Sequence, residues 1–304
     1  TSRLSIRVHV AQKKPLSELS EADLFPREVD GVPIDVIEAK YGVQMLPSEE
    51  EAQLESAQPG RGARFDSIPA GVSIGSPYVS AGTLGAKVVD EATGAEMVLS
   101  NWHILVGDPD AERGVAIWQP GRLDGGGSSD AFATLTRWVL GPYDAAVATL
   151  DGSREVLAET FEARQLQGAS QPMLGMQVWK SGRTTGLTEG MVDGIRMSVP
   201  LNYGRAGTVV IRDVFRIVPL PGAGNIEVSL GGDSGSVWAT DDGLAVGLHF
   251  AGETGNAPEH ALANELLPVL SRLQVRLPQA TPDPEPDPDP PVEPTPPVDP
   301  VDPV

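Results

Sequence analysis

The chain has 304 residues, 40% of them hydrophobic and 21% charged, which is globular composition with room for one large domain or two modest ones. Its formal charge of −20, without any basic cluster, excludes a nucleic-acid backbone as partner and is read as solubility. Without cysteine there are neither disulfides nor thiolate metal sites, and no apolar run approaches the ~18 residues of a membrane span. The opening TSRLSIRVHV lacks the apolar core of a signal peptide, so cytoplasm and export both stay open.

Residues 1–45 read as a small α/β unit. LSIRVHVA (4–11) alternates like a strand, PLSELSEADL (15–24) suits a short helix, and VPIDVIEAK (32–40) is a second strand. The polar, Gly/Pro-punctuated residues 46–64 read as a linker. Short β runs fill 65–277, beginning with two runs around the turn EATGAE in 82–105, a predicted hairpin. DAFATLTRWVL (130–140), DAAVATL (144–150), MQVWKSG (176–182), GTVVIRDVFRIVPL (207–220), SGSVWAT (234–240) and LAVGLHFAG (244–252) continue the pattern. Many short strands with 34 glycines and 28 prolines predict an all-β body of two packed sheets or barrels. HALANELLPVLSRLQ (260–274) predicts one late helix, which Pro268 either kinks or opens. Residues 278–304 alternate proline with acid and cannot bury apolar surface, so they are a disordered tail or a tether to a further domain or partner.

The chemistry is carried by three blocks. GGDSGSVW (231–238) sets Ser234 among glycines, and a serine becomes a nucleophile only beside a base. Of four histidines, His9 and His260 read as surface or partly packed residues. His103 stands at the end of the buried run EMVLSNWHIL, and Asp144 enters the small-apolar strand DAAVATL. An acid at the mouth of a buried strand needs donors, and a histidine ring N–H is a good one. Asp108, Asp110, Asp124 and Asp130 lie in polar loops and read as solvated. In the G-D-S-G turn the backbone N–H groups of Gly232 and Ser234 suit an oxyanion hole. The order His103, Asp144, Ser234 on an all-β background is that of the chymotrypsin type.

On LSNWHIL, YDAAVATL and GGDSGSVW, residues 65–277 resemble the trypsin-like, chymotrypsin-fold serine proteases. PREVDGVPIDVIE, IPAGVSIGSPYVSAGTLGAKV, QPGRLDGG and WKSGRTTGLTEGMV further resemble a bacterial subgroup related to the plant NARROW LEAF type. The resemblance implies two six-stranded antiparallel β-barrels with a His103–Asp144–Ser234 triad in the cleft between them. It also implies peptide substrates, an acyl-enzyme and no cofactor or metal. Nothing before the first barrel looks like the cut N-terminus that switches on the digestive enzymes.

By the same resemblance the pocket for the residue before the cut (P1) is walled by IEVSLGGDS and AVGLHFAG. Val228 stands where trypsins carry an acid, which argues against Lys or Arg at P1. Ser229 and His249 look like the hydroxyl–histidine pair of glutamate-specific members; the competing expectation is a pocket for small or apolar side chains with His249 merely packed. EEEAQLESAQPGRGAR (49–64) suits a self-cleaved pro-segment boundary, but the subgroup resemblance makes the N-terminal unit a permanent part of the fold. Rival readings are a catalytically silent binding module tethered by the tail, and an esterase with the same triad. Metal catalysis lacks any H-E-x-x-H spacing, and DGGGSSD (124–130) reads as a polar loop rather than a Ca²⁺ site.

Overall fold

The structure, a computed structural model, describes residues 4–44, 56–224, 226–254 and 259–278. The acid run of the expected linker and the Pro/Asp tail lie outside them. Among the described residues no helix is long and apolar enough to cross a membrane.

The body is built from two β units, as expected for a chymotrypsin-like double barrel. The first is a ladder of Ala116–Trp118, Ala131–Leu140, Asp144–Leu150, Glu96–Ser100 and Ala86–Asp90, to which Val275–Arg276 adds a sixth strand from the end of the chain. The predicted hairpin is present, Ala86 facing Leu99 and Val89 facing Glu96. Its turn is pinned by Asp90, whose Oδ1 accepts from Thr93 N and Thr93 Oγ1, both at 2.7 Å. With Arg137 bonded to its other oxygen, the Asp90 carboxyl falls to about 2, the Thr93 bonds being the larger cause.

The second unit closes on itself. Leu244–Glu253, Val237–Ala239, Gln177–Gly182, Gly186–Asn202, Thr208–Val218 and Ala261–Glu265 pair in that order, and the last pairs back to the first. Closure pairs the two ends of the sheet and leaves an edge where Leu244–Glu253 runs past the short strand Val237–Ala239. Its interior holds Val178, Val192, Phe215, Ile217, Trp238 and Val246. Leu244–Glu253 also accepts Tyr41–Val43 from the N-terminal region as an extra antiparallel strand.

Two expectations about helices are corrected. The region 15–24 forms two short 3₁₀ turns, Leu16–Glu18 and Glu21–Asp23, because none of their residues is buried and Ser20 caps a new start. Ile6–Val10 and Val32–Glu38 do form as strands, parallel to each other. Near the end, the helix covers only Leu266–Leu273. Residues Ala261–Glu265 are the strand that closes the second barrel, and Pro268 falls in the helix's first turn, where its missing N–H costs nothing.

That helix buries Leu266, Val269, Leu270 and Leu273, a stripe at helical spacing. The stripe packs with Val88, Leu99 and Val147 of the first unit and Val237 and Leu248 of the second, so it clamps the two together. Leu266→Ala, at a fully buried position, is expected to cost about 2–5 kcal/mol. Urea unfolding checks it, through a lower midpoint at unchanged slope.

Candidate active site

His103 lies on the short helix Trp102–Leu105 directly after the strand Glu96–Ser100, and every side chain of that helix is buried. Asp144 opens the neighbouring strand. The two meet as the sequence predicts: His103 Nδ1 lies 2.5 Å from Asp144 Oδ2, and the His103 backbone N–H donates to Asp144 Oδ1 at 3.2 Å. A third donor, the Tyr203 hydroxyl, reaches Oδ2 at 3.0 Å. Burial, reinforced by that carboxylate, pushes the Tyr203 phenol well above its usual range, so it remains a donor. Asn264 accepts from the Asp144 N–H at 3.1 Å, and Asn101 donates to its carbonyl at 2.8 Å. The acid at the strand mouth is therefore fully satisfied, which is what its complete burial demands.

Ser234 sits in the turn 231–236. Gly232 has φ +91° and Gly235 φ +97°, backbone that L side chains rarely adopt. A Cβ on Gly235 would also lie 2.1 Å from Ser100 Oγ and 2.3 Å from Thr83 O, the close approach that joins this turn to the strand leading into His103. The Ser234 hydroxyl donates to Gln44 O at 3.1 Å and Phe250 O at 3.4 Å. His103 Nε2 is buried and, among the described residues, has no hydrogen-bond partner. The serine–histidine bond of a triad is thus not made here. Gly232 N–H, one of the two expected oxyanion donors, points at Gln44 O from 3.3 Å. Among the described residues the Ser234 N–H makes no bond to that oxygen.

The turn is held by its own acid. Asp233 is fully buried and lies 3.1 Å from the equally buried Lys180 Nζ. It also accepts from Thr184 N, Thr185 N, Thr185 Oγ1 and Leu230 N. Burial alone would raise this carboxyl, but the Lys180 charge and those bonds outweigh it and hold it below the usual carboxylate range. Asp124, expected to be solvated, is instead the partner of buried Arg183, with bonds of 2.7 and 2.8 Å to its guanidinium. A buried cation needed an acid, and the loop supplies it.

Ser229 and His249 are both fully buried, and the side chain of Gln44 lies against them. His249 Nε2 is 2.5 Å from Gln44 Oε1, and Gln44 Nε2 donates to the Ser229 carbonyl at 3.4 Å. Burial, then the nearby Lys180 charge, takes His249 down to about 3, so the ring is neutral at physiological pH and meets Oε1 as an N–H donor. Glu259 forms the rear wall, accepting from Val228 N and Ser229 N at 2.9 and 3.2 Å. With Glu227 and Glu253 it makes an acidic group whose oxygens lie within 4.8 Å of one another. Burial and the bond to Glu253 push Glu259 up to about 9, so it holds a proton at neutral pH.

Lys180, Tyr203, Asn264 and Gln44 escape the sequence reading. Lys180 was detectable by the argument that found Asp144, being a charge inside the apolar strand run MQVWKSG. Gln44 carries no such signal.

Compared by sequence, the chain matches no family model and no curated protein. Compared by structure, it is similar to chymotrypsin-fold serine proteases. Protease A of Thermobifida fusca matches with TM-score 0.51 and 19% identity, over 69% of this chain and 98% of that one. A protease described as glutamic acid specific, using a histidine triad in substrate binding, matches with TM-score 0.52 and 19% identity, over 68% and 98%. The Cellulomonas bogoriensis chymotrypsin matches with TM-score 0.51 and 20% identity, over 71% and 100%. The fold is therefore that of the chymotrypsin-like double β-barrel.

Removing the cation from the Asp233 pair leaves a buried charge without its counter-ion. Lys180→Met is expected to cost about 3–5 kcal/mol at pH 7. Because the folded protein holds Asp233 below its unfolded value, the pair contributes fully above the ordinary carboxylate range, and the contribution is lost as pH falls through the lower folded value. The stability gap between wild type and variant, measured by urea unfolding from pH 7 down to pH 3, is expected to narrow at the acid end.

Proposed function

We propose that this chain is a serine endopeptidase whose nucleophile is Ser234, with His103 as general base, Asp144 as its orienting acid, and the N–H groups of Gly232 and Ser234 as oxyanion hole. One observation carries the reading: the Gln44 peptide carbonyl sits beside the Ser234 hydroxyl and under the Gly232 N–H, in the posture of a substrate. The resemblance of the N-terminal and central motifs to the NARROW LEAF-type subgroup belongs to the same proposal.

The chemistry follows from the arrangement. Asp144 takes the His103 Nδ1 proton as a hydrogen bond, which fixes the tautomer and leaves Nε2 as the acceptor. The Ser234 hydroxyl turns from the two carbonyls it now serves to Nε2, gives up its proton as Oγ bonds to the substrate carbonyl carbon, and the carbonyl oxygen becomes an oxyanion. Gly232 N–H is aimed at that oxygen. His103 then protonates the leaving amine, and water, deprotonated by the same nitrogen, releases the acid from Ser234. Tyr203 supports this cycle by sharing the charge of Asp144.

For P1 we propose a side chain ending in a carboxamide or carboxyl group, Gln or Glu, bound between His249 and Ser229. The specificity of the glutamic acid specific neighbour supports this reading, as does the side chain now between these residues. Val228 offers no acid to Lys or Arg. A second reading, a catalytically silent binding module, draws on the absent Ser234–His103 bond.

A fluorophosphonate probe with intact-mass detection separates the two readings. One adduct on wild type, absent from Ser234→Ala and His103→Ala, is the expected result; no adduct on wild type favours the silent module. Asp144→Asn is expected to lower kcat by about 10⁴-fold, as loss of the orienting acid does in such triads. In a peptide library Gln and Glu at P1 are expected to exceed Leu, Ala and Lys, with His249→Ala abolishing the preference. Equal rates for Leu and for Gln or Glu would sink the P1 assignment.

A further inference from the structure

Tyr41–Val43 does not pack on the body as an arbitrary strand. It lies antiparallel on Leu244–Glu253, with Tyr41 opposite Glu253, Gly42 opposite Gly252 and Val43 opposite Ala251. The bonding continues past the strand, from Gln44 N to Phe250 O at 3.2 Å. Gln44 is the residue where this added strand ends and the site begins. Its carbonyl meets Ser234 Oγ and Gly232 N, and its side chain fills the pocket of His249 and Ser229. Gly252 is what admits that side chain, since a Cβ there would fall 2.2 Å from Gln44 Nε2. Backbone, carbonyl and side chain are thus recognised together, by the strand, the turn and the pocket in register.

We infer that the first peptide bond cut by this enzyme is its own, on the carboxyl side of Gln44, presented in cis by the N-terminal unit and selected by the glutamine carboxamide. The inference rests on the proposed serine-endopeptidase reading. In the step, Ser234 Oγ bonds to the Gln44 carbonyl carbon, and the bond from that carbon to the nitrogen of Met45 breaks. The Oγ proton passes through His103 Nε2 to the departing amine, which becomes a new N-terminus. Water then replaces Oγ at the carbon, giving its proton by way of His103 back to Ser234 and leaving Gln44 with a free carboxylate. The cut falls ahead of the acidic stretch 49–64 that composition marks as the accessible one.

The carboxamide fits both contacts of the pocket. Oε1 accepts from His249, and Nε2 donates to the Ser229 carbonyl. A glutamate would turn a second oxygen toward that carbonyl instead of a donor, beside a neutral ring. Delivery in cis is built into the N-terminal unit. Arg7 Nη1 pairs with Asp193 at 2.7 Å, Lys40 O accepts from Thr254 N at 3.1 Å, and the Tyr41 hydroxyl bonds His9 while its ring meets His260 edge-on. These contacts hold the strand on the barrel independently of the pocket.

The test uses the full chain, purified and incubated at pH 7, followed by intact mass and N-terminal sequencing. Wild type is expected to yield residues 1–44 and a second fragment beginning at Met45, with a first-order rate constant independent of chain concentration, while Ser234→Ala stays whole. Gln44→Leu is expected to slow the cut on the order of 10–100-fold, and Gln44→Glu on the order of 10-fold. A fluorophosphonate adduct on Ser234 of a wild type that remains whole, or is cut only at another bond, overturns self-cleavage and leaves the protease reading standing. A wild type that stays whole and takes no adduct removes both. A rate that rises with chain concentration overturns presentation in cis, and a Gln44→Glu chain cut faster than wild type overturns selection by the carboxamide.

Discussion

The buried pair of Lys180 and Asp233 is the constraint on which the turn around Ser234 depends. A carboxylate enclosed within the second barrel is costly, and it stays ionised because a cation and four hydrogen-bond donors converge on it. Those donors come from Leu230, directly before the turn, and from Thr184 and Thr185, in the loop that follows the Lys180 strand, so the acid ties the turn to that strand and its loop. Gly232, next to that anchored acid, accepts at its carbonyl from Thr83 Oγ1 and points its N–H at Gln44 O. The cation arises from a barrel strand, Gln177–Gly182, so the turn is organised without any newly cut N-terminus.

A second constraint ties the two barrels together. Asp144 begins a strand of the first unit, yet three of the residues that satisfy it or its backbone, Tyr203, Asn264 and His103, come from both units. Tyr203 and Asn264 belong to the second barrel's segments, while His103 comes from the first. The proposed base is therefore oriented by contacts that exist only when the barrels are docked. The helix Leu266–Leu273, wedged over both, supplies the apolar part of that docking.

The site as it stands is occupied by its own chain. The Tyr41–Val43 strand on Leu244–Glu253, the Gln44 carbonyl at the proposed oxyanion donor Gly232 N–H, and the Gln44 carboxamide between His249 and Ser229 account for the present position of the Ser234 hydroxyl. They also account for a His103 Nε2 that has no hydrogen-bond partner among the described residues.

Much of this was legible in the sequence. His103, Asp144 and Ser234 stood out because a nucleophile among glycines, a histidine ending an apolar run and an acid entering one are chemically costly where they are. The strands at 86–90, 96–100, 131–140 and 144–150 followed from short-range alternation and turn chemistry. Where local signals competed with long-range pairing, the reading failed. Ala261–Glu265 has helical-looking composition but is drawn into a strand because both its neighbours in the barrel need a partner. Asp124 sits in a loop of solvated appearance and is claimed by Arg183, 59 residues away. Gln44 is an ordinary polar residue, and nothing local to it describes the pocket, 205 residues on, that its side chain enters. Side-chain chemistry and spacing by themselves determined the catalytic candidates and the β class of this protein. Which acid meets which cation, and which peptide lies in the cleft, only the tertiary structure decided, because those choices are made by burial and by pairing between segments far apart in the chain.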